Sequence, residues 1–310
     1  MEEQRTKLDS HGVAYTAAAY MMWGILPLYW KLLESVPSGE ILAYRILWSF
    51  IFMILLLAFS RSFQKVKEQW KLMTKGQIVA LAGASILISI NWFVYIWAVN
   101  ANLVVEASLG YYVNPLISVL LGVIFLKEKL NFWQLIAVLL AAVGVGIFTF
   151  QYGTFPWIAL SLALSFGFYG LVKKKLTLDP KVGLTLETLF VTPVALFYVL
   201  FLFANGNGIL MDVSLLTFIL LAGGGIVTAV PLLYFAKGAQ RIPLSMVGFL
   251  QYIAPTIMLF VGTVMFHEPF SSSQLLTFML IWIGSIIFSL SKTKFMLSHQ
   301  PRFKKESSLH

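Results

Sequence analysis

Ten stretches of about twenty residues, each almost unbroken in apolar side chains, constrain this chain more than anything else in it. A hydrocarbon layer about 30 Å thick takes about 20 residues of helix to cross. Inside it only a helix or a closed barrel satisfies its own backbone polar groups. The runs are continuous and do not alternate, which predicts helices. Breaks at proline, glycine and charge clusters place spans over 12–33, 39–59, 76–98, 104–126 and 132–150, then 154–172, 182–203, 214–236, 244–265 and 273–291. Hydrophobic residues make up 59% of the 310 positions and charged residues 11%, against about 25% charged in a soluble domain. The expected fold class is an all-α integral membrane protein with ten transmembrane helices. The first eleven residues mix acids and bases, and the apolar stretch after them has no small-residue cleavage pattern, so it reads as a retained span.

Charge supplies the orientation. The chain carries 22 Lys plus Arg against 13 Asp plus Glu, a formal charge of +9. Twenty of those 22 basic residues fall in the terminal segments and in one alternating set of loops, around 61–75, 127–129, 173–181 and 237–241. The other set, near 34–38, 99–103, 151–153, 204–213 and 266–272, holds none. Cytoplasmic loops collect Lys and Arg, so both termini are expected in the cytoplasm, with 1–11 and 293–310 as tails. The partition leaves no basic folded face for nucleic acid; the charge belongs beside the headgroups of the lipid bilayer. With no cysteine and four scattered histidines, neither a metal nor another cofactor is indicated.

The chain also repeats. Shifted by 140 residues without gaps, Tyr112 falls on Tyr252, Pro115 on Pro255, Gly122 on Gly262, Glu128 on Glu268, Gln134 on Gln274 and Gly144 on Gly284. A shift of 143 superposes Gly24 on Gly167 and Lys31 on Lys174. The halves are 12–151 and 152–292. Each holds five spans, an odd number, so the second enters the membrane from the opposite side, giving two five-helix inverted repeats. Inverted repeats are a signature of secondary transporters, with the substrate site near the midplane between the halves.

Polar groups within a span are costly, so each asks for a reason. Arg45 reads either as a cavity cation that orients an anionic or dipolar substrate or as half of a structural pair with Glu40 or another acid. Five residues place Glu40 and Arg45 about 140° apart, on different faces of one helix. Lys31 and Glu40 lie near the outer interface. Glu106 is the leading candidate for proton coupling, since a buried carboxyl can load and release a proton; the alternative is a first-turn acid favoured by the helix dipole. Glu187 falls near the repeat image of Arg45, and an equal reading makes it a partner of the basic run Lys173–Lys175. Asn91, Trp92 and Tyr95, then Tyr111, Tyr112 and Asn114, combine aromatic walls with a few amides, as do Tyr234, Gln251 and Tyr252 in the second half. Such sets suit an amphipathic organic ligand, although packing and interfacial belts account for aromatics one at a time. Pro115 and Pro255, as repeat mates within spans, are the expected hinges. Gly223–Gly225 make the eighth span pliable. Ala142 and Gly146 could seat another helix, within the chain or in a homodimer; monomer and homodimer both stay open. His267 beside Glu268 reads as solvated more readily than as functional.

Several segments resemble one family. They are Trp23-Gly24-Ile25-Leu26-Pro27-Leu28-Tyr29-Trp30-Lys31, Glu40-Ile41-Leu42-Ala43-Tyr44-Arg45, Asn91-Trp92, and Glu106-Ala107-Ser108-Leu109-Gly110-Tyr111-Tyr112-Val113-Asn114-Pro115. The chain is similar over nearly its whole length to the RarD family of EamA-type carriers in the drug/metabolite transporter superfamily. That family's pattern of a proline early in the fourth span and a glutamate at its end is met by Pro115 and Glu128, and again by Pro255 and Glu268. The resemblance implies a cavity lined by the first, third, fourth, sixth, eighth and ninth spans, with Trp23, Tyr29 and Trp30 among the lining. It also implies residence in the bacterial plasma (inner) membrane and export of small organic molecules or metabolites, chloramphenicol being the one drug tied to the family name.

The expected function is therefore a secondary carrier, not an enzyme, that exports a small-molecule solute by alternating access in exchange for protons. An importer or facilitative carrier has the same architecture and stays open. A membrane enzyme would want paired carboxylates, metal-spaced histidines or an activated nucleophile; a channel or a structural membrane protein stays open, with the inverted halves and buried charge arguing for alternating access over a static pore.

Overall fold

The computed structural model describes residues 9–100, 104–152, 157–209, 214–265 and 272–301. Among them every regular element is helical: α1 (Ser10–Lys31), α2 (Ser38–Phe59), α3 (Phe63–Leu72), α4 (Lys75–Asn100), α5 (Val104–Leu126), α6 (Phe132–Tyr152), α7 (Trp157–Lys175), α8 (Pro180–Ala204), α9 (Leu215–Ala239), α10 (Leu244–Gln251), α11 (Ile253–Phe260), a π-helical turn (Val261–Met265), α12 (Ser272–Leu290) and α13 (Lys294–Ser298). The starts follow local chemistry. Asp9 Oδ1 accepts from the His11 and Gly12 amides at 2.9 and 3.1 Å and opens α1. Asn131 and Gln134 form a reciprocal cap, amide to side chain in both directions at 3.0 and 2.8 Å, ahead of α6. Thr74 and Gln77 do the same for α4.

Among the described residues, six stretches are long and apolar enough to cross a membrane by length and composition: α2, most of α4, most of α6, α8, α9 and Leu244–Met265. Shorter apolar helical stretches, Gly110–Leu126 and Leu275–Leu290, belong to α5 and α12. Phe59 and Phe150 are 87% and 89% exposed, and Val79, Val194 and Phe197 also face outward. Such a surface is stable only where the solvent is itself hydrocarbon.

Four features depart from the sequence reading. The loop after α2 contains α3, whose Val66, Gln69 and Trp70 face the second half: Val66 joins an apolar cluster with Leu176, Val182 and Leu186, Gln69 Oε1 accepts from the Asp179 amide at 3.1 Å, and Trp70 meets Phe190. Helix α7 runs through Lys175, three residues past the expected end, because its lysines have partners: Lys173 meets Glu187 and Lys174 donates to the Ile242 carbonyl at 2.7 Å. In the segment from 293, expected as a cytoplasmic tail with no folded-domain pattern, Lys294–Ser298 forms α13, and Trp133 Nε1 donates to the Met296 carbonyl at 2.8 Å. The ninth span is two helices joined at Tyr252. Pro255 has no amide to offer the Gln251 carbonyl four residues back, so the break falls there. Its mate Pro115 sits inside a helix that stays continuous.

Helices pack in reciprocal pairs across the halves. α1 packs on α9 and α4 on α7; α1 also meets α11 while α7 meets α5; α2 packs on α8, α5 on α10, and α6 on α12. Contacts repeat in detail. A methyl at Gly24 would fall 2.7 Å from Ile257, and one at Gly167 would fall 2.8 Å from Ile117, the glycines being repeat mates at a shift of 143 and the isoleucines at a shift of 140. Likewise a methyl at Gly144 would lie 3.2 Å from the Thr277 carbonyl, and one at Gly284 would lie 2.9 Å from the Ala137 carbonyl. Glycine is used where two backbones close on each other, as membrane helix packing favours. The pair expected for that role, Ala142 and Gly146, is not the packed one: Ala142 is exposed, and a methyl at Gly146 would meet nothing within 4 Å.

Candidate functional site

Between the halves lies a cleft with about 870 Å³ of unfilled space, its open mouth included. Of the residues singled out in the sequence, Trp23 and Trp30 of α1, Arg45 of α2, Asn91, Trp92 and Tyr95 of α4, Tyr111 and Asn114 of α5 and Gln251 of α10 line it. The spacing explains the register. On α5 residues 111, 114 and 118 share one helical face, and in the other half 251, 254 and 258 repeat it. Tyr111, Asn114, Gln251, Ala254 and Met258 line the cleft, and the sixth position, Ser118, sits with its hydroxyl 3.5 Å from Gln251 Oε1.

Arg45 is nine-tenths buried, and its guanidinium carbon lies 4.5 Å from the ring centroids of both Trp30 and Trp92. Its Nε donates to Thr228 Oγ1 of α9 at 3.1 Å. No acid pairs with it among the described residues. Glu40 is turned elsewhere: it is buried at the start of α2 and its Oε2 accepts from the Ile209 amide at 3.0 Å. The two aromatic faces hold the guanidinium by cation–π attraction at the wall of the cleft. The other lining groups are largely spent on structure. Asn91 Nδ2 donates to the Leu162 carbonyl and Ser165 Oγ at 2.9 and 3.0 Å, tying α4 to α7, and Trp23 packs edge-on to Phe166.

Several expected site residues lie elsewhere. Tyr29 points away from the cleft and donates to the Leu220 carbonyl. Tyr112 is buried against Phe148 and Phe278, and Tyr252 donates to the Tyr112 carbonyl at 3.3 Å, so both belong to the core. They are the neighbours of Tyr111 and Gln251, and adjacent helical residues point about 100° apart. Tyr234 packs on Tyr15. Lys31 sits on the surface 3.9 Å from Glu34. Glu187 is a pairing residue: Lys173 Nζ lies 2.6 Å from its Oε1, and the Tyr169 hydroxyl donates to Oε2 at 3.2 Å. Glu106 falls in the first turn of α5, but its side chain lies outside the described residues, as do His267 and Glu268 entirely. Glu128, two residues past the end of α5, accepts from the Leu244 and Ser245 amides at 2.6 and 2.9 Å and so pairs two otherwise free amides of the first turn of α10.

The second span, through Arg45, takes the place expected for the eighth in the lining; α9 contributes Thr228 behind Arg45 instead. The sequence reading missed Tyr20, Phe166, Ala254 and Met258. Phe166 is the repeat mate of Trp23, and Ala254 and Met258 are the mates of Asn114 and Ser118, so the repeat register carried the signal. A smaller space of about 360 Å³ shares Trp92 with the cleft and is bounded by Glu187, Thr188 and Thr228.

A family model, the EamA-like transporter family, matches twice, over residues 10–150 and again over 156–290. The chain belongs to the EamA-like transporter family. It is RarD-like within the drug/metabolite transporters, being 42% identical to Protein RarD of Escherichia coli (strain K12) over 283 residues, 91% of this chain and 95% of that one. It is 53% identical over 301 residues to the Uncharacterized transporter YojE of Bacillus subtilis (strain 168), with 95% and 97% of the two chains covered. A Pseudomonas aeruginosa relative named Chloramphenicol-sensitive protein RarD is 29% identical over 285 residues, 91% of this chain and 94% of that one. One crystal structure of a protein, 18% identical, shares the fold with a TM-score of 0.70 over 92% of this chain and 99% of that one. This EamA-like chain is a multi-pass membrane transporter.

Proposed function

We propose that this transporter is a secondary carrier that moves small organic molecules by alternating access, with the cleft around Arg45 as its solute site. The observation that carries the reading is a buried cation with no acid partner among the described residues, set in the aromatic wall of a space between two similar halves. The reciprocal packing of Gly24 with Ile257 and Gly167 with Ile117, and the doubled family match, support ten spans arranged as two five-helix inverted repeats. The broken ninth span, with Tyr252 at the joint, is the proposed hinge. The direction is outward, which the metabolite and drug carriers it resembles favour, and Glu106 is the proposed coupling acid. The concentration of Lys and Arg in one set of loops supports a bacterial plasma-membrane location with both termini on the cytoplasmic side.

The test compares the external medium of cells overproducing the wild type, Arg45→Ala, or an empty vector, at matched protein levels in the membrane. Compounds enriched outside with wild type alone are expected. Equal enrichment with Arg45→Ala would remove the cleft from the path, and selective depletion with wild type would reverse the direction.

A further inference from the structure

We infer that the cleft selects small aromatic monoanions bearing a neutral hydrogen-bond donor and discriminates against zwitterions and cations. The inference rests on the cleft being a solute site.

Two buried polar atoms in the lining have no partner among the described residues: the Tyr20 hydroxyl and Asn114 Oδ1, on residues 1% and 5% exposed. Buried polar groups are nearly always paired, because leaving one unpaired forfeits its hydration without return. An orphan in the wall of a cleft marks where a ligand completes the pair. Asn114 Oδ1 can only accept, so the ligand presents a donor to it.

The charge requirement follows from the same lining. Among its described members Arg45 is the one charged side chain, and no carboxylate of a described residue pairs with it. A ligand carboxylate meets the guanidinium in a charge-assisted bond. A ligand ammonium finds no counter-ion among the described lining residues, and Arg45 already lies 4.5 Å from the Trp30 and Trp92 ring centroids that could hold it. The required donor is therefore neutral, a hydroxyl or an amide. Trp23 and Phe166 surround the rest of the space with rings, which suits an aromatic body.

The repeat shows that this polarity is one-sided. At the positions matching Asn114 and Tyr20 the second half has Ala254 and Ala163, and Glu187, near the image of Arg45, is neutralised by Lys173 outside the cleft. A site whose polar groups come mostly from one half holds a ligand with distinct ends.

Isothermal titration calorimetry on the purified full chain tests this with four single-ring probes: para-hydroxybenzoate, benzoate, tyrosine and tyramine. The hydroxylated anion should bind about tenfold more tightly than benzoate, the value of one hydrogen bond to a buried group, and tyrosine and tyramine more weakly than benzoate. Asn114→Leu should bring para-hydroxybenzoate down to the benzoate affinity and leave benzoate within about twofold. Tyr20→Phe, which removes only an oxygen, is the second variant should Asn114→Leu fail to fold, with the same selective loss expected. Arg45→Gln should weaken both anions at least about tenfold. Tighter binding of tyramine or tyrosine, equal loss of both anions in Asn114→Leu or Tyr20→Phe, or no binding of any probe would overturn the inference. Ala254→Trp, which fills the cleft, separates the two readings: continued export in that variant defeats the solute site itself, whereas lost export with the wrong probe order defeats only the selectivity.

Discussion

Removing one partner of the Lys173–Glu187 pair tests how the second half is held together. Both side chains are buried, at 4% and 3% exposure, with 2.6 Å between charged atoms. In an effective dielectric of about 20, unit charges at that distance attract by about 6 kcal/mol, an attraction partly offset by the cost of desolvating both groups. Glu187→Gln keeps the shape and an acceptor for Tyr169 but strands a buried ammonium, which should cost about 3–5 kcal/mol. Lys173→Met added to it removes the stranded charge, so the double variant should recover most of that loss. Unfolding in detergent, followed by circular dichroism against added SDS, gives the free energies for the cycle. The double variant should also retain export, because the pair stands outside the cleft. A single variant within about 0.5 kcal/mol of wild type, or a double variant as unstable as the single, would refute the reasoning.

Other consequences follow from particular contacts. A methyl at Gly225 would collide with the Trp48 backbone, so Gly225→Ala should cost about 1–3 kcal/mol by the same SDS titration and weaken solute binding by shifting Thr228 off Arg45; Gly83→Ala, which meets nothing within 4 Å, should be neutral or slightly stabilising. Because the chain has no cysteine, Asn207→Cys should label with an impermeant maleimide on intact cells and Lys67→Cys only after lysis; the reverse pattern would invert the orientation. Gly206 itself is a poor labelling position, since its φ of +69° strains any other residue. Glu106→Gln should insert and fold normally but lose the dependence of export on a pH gradient, and unchanged coupling would remove Glu106 from the mechanism.

Helix ends were legible wherever bilayer thickness alone sets them, and α5 falls on the expected residues. They were illegible where a partner elsewhere in the chain decides. Lys173 and Lys174 look like the end of a span until Glu187 and the Ile242 carbonyl are in place to receive them. The break at Tyr252 was displaced from Pro255 because a proline is felt at the carbonyl four residues earlier. α3 is ten residues long and carries four charges, too short and polar for a hydropathy reading, though Val66, Trp70 and Met73 at helical spacing were its signal. At the site, residue type identified Arg45, Asn91 and Asn114 but could not choose between Tyr111 and Tyr112, or between Gln251 and Tyr252. Helical phase decides those choices, and the 111, 114, 118 pattern with its image at 251, 254, 258 held that phase. What lay out of reach was which polar atoms would be used up by the fold, as in Asn91, and which would be left over, as in Asn114.

The most direct test of alternating access through this cleft is Ala254→Cys. Ala254 lines the cleft and is 4% exposed, so a thiol fits and reports on the path itself. An impermeant maleimide is applied to intact cells and, separately, to inverted vesicles, and export of the compounds enriched by the wild type is then measured. The account predicts reaction from both faces and loss of export in proportion to labelling. Full labelling with export at the unlabelled rate, or no reaction from either face in an exporting protein, would contradict it.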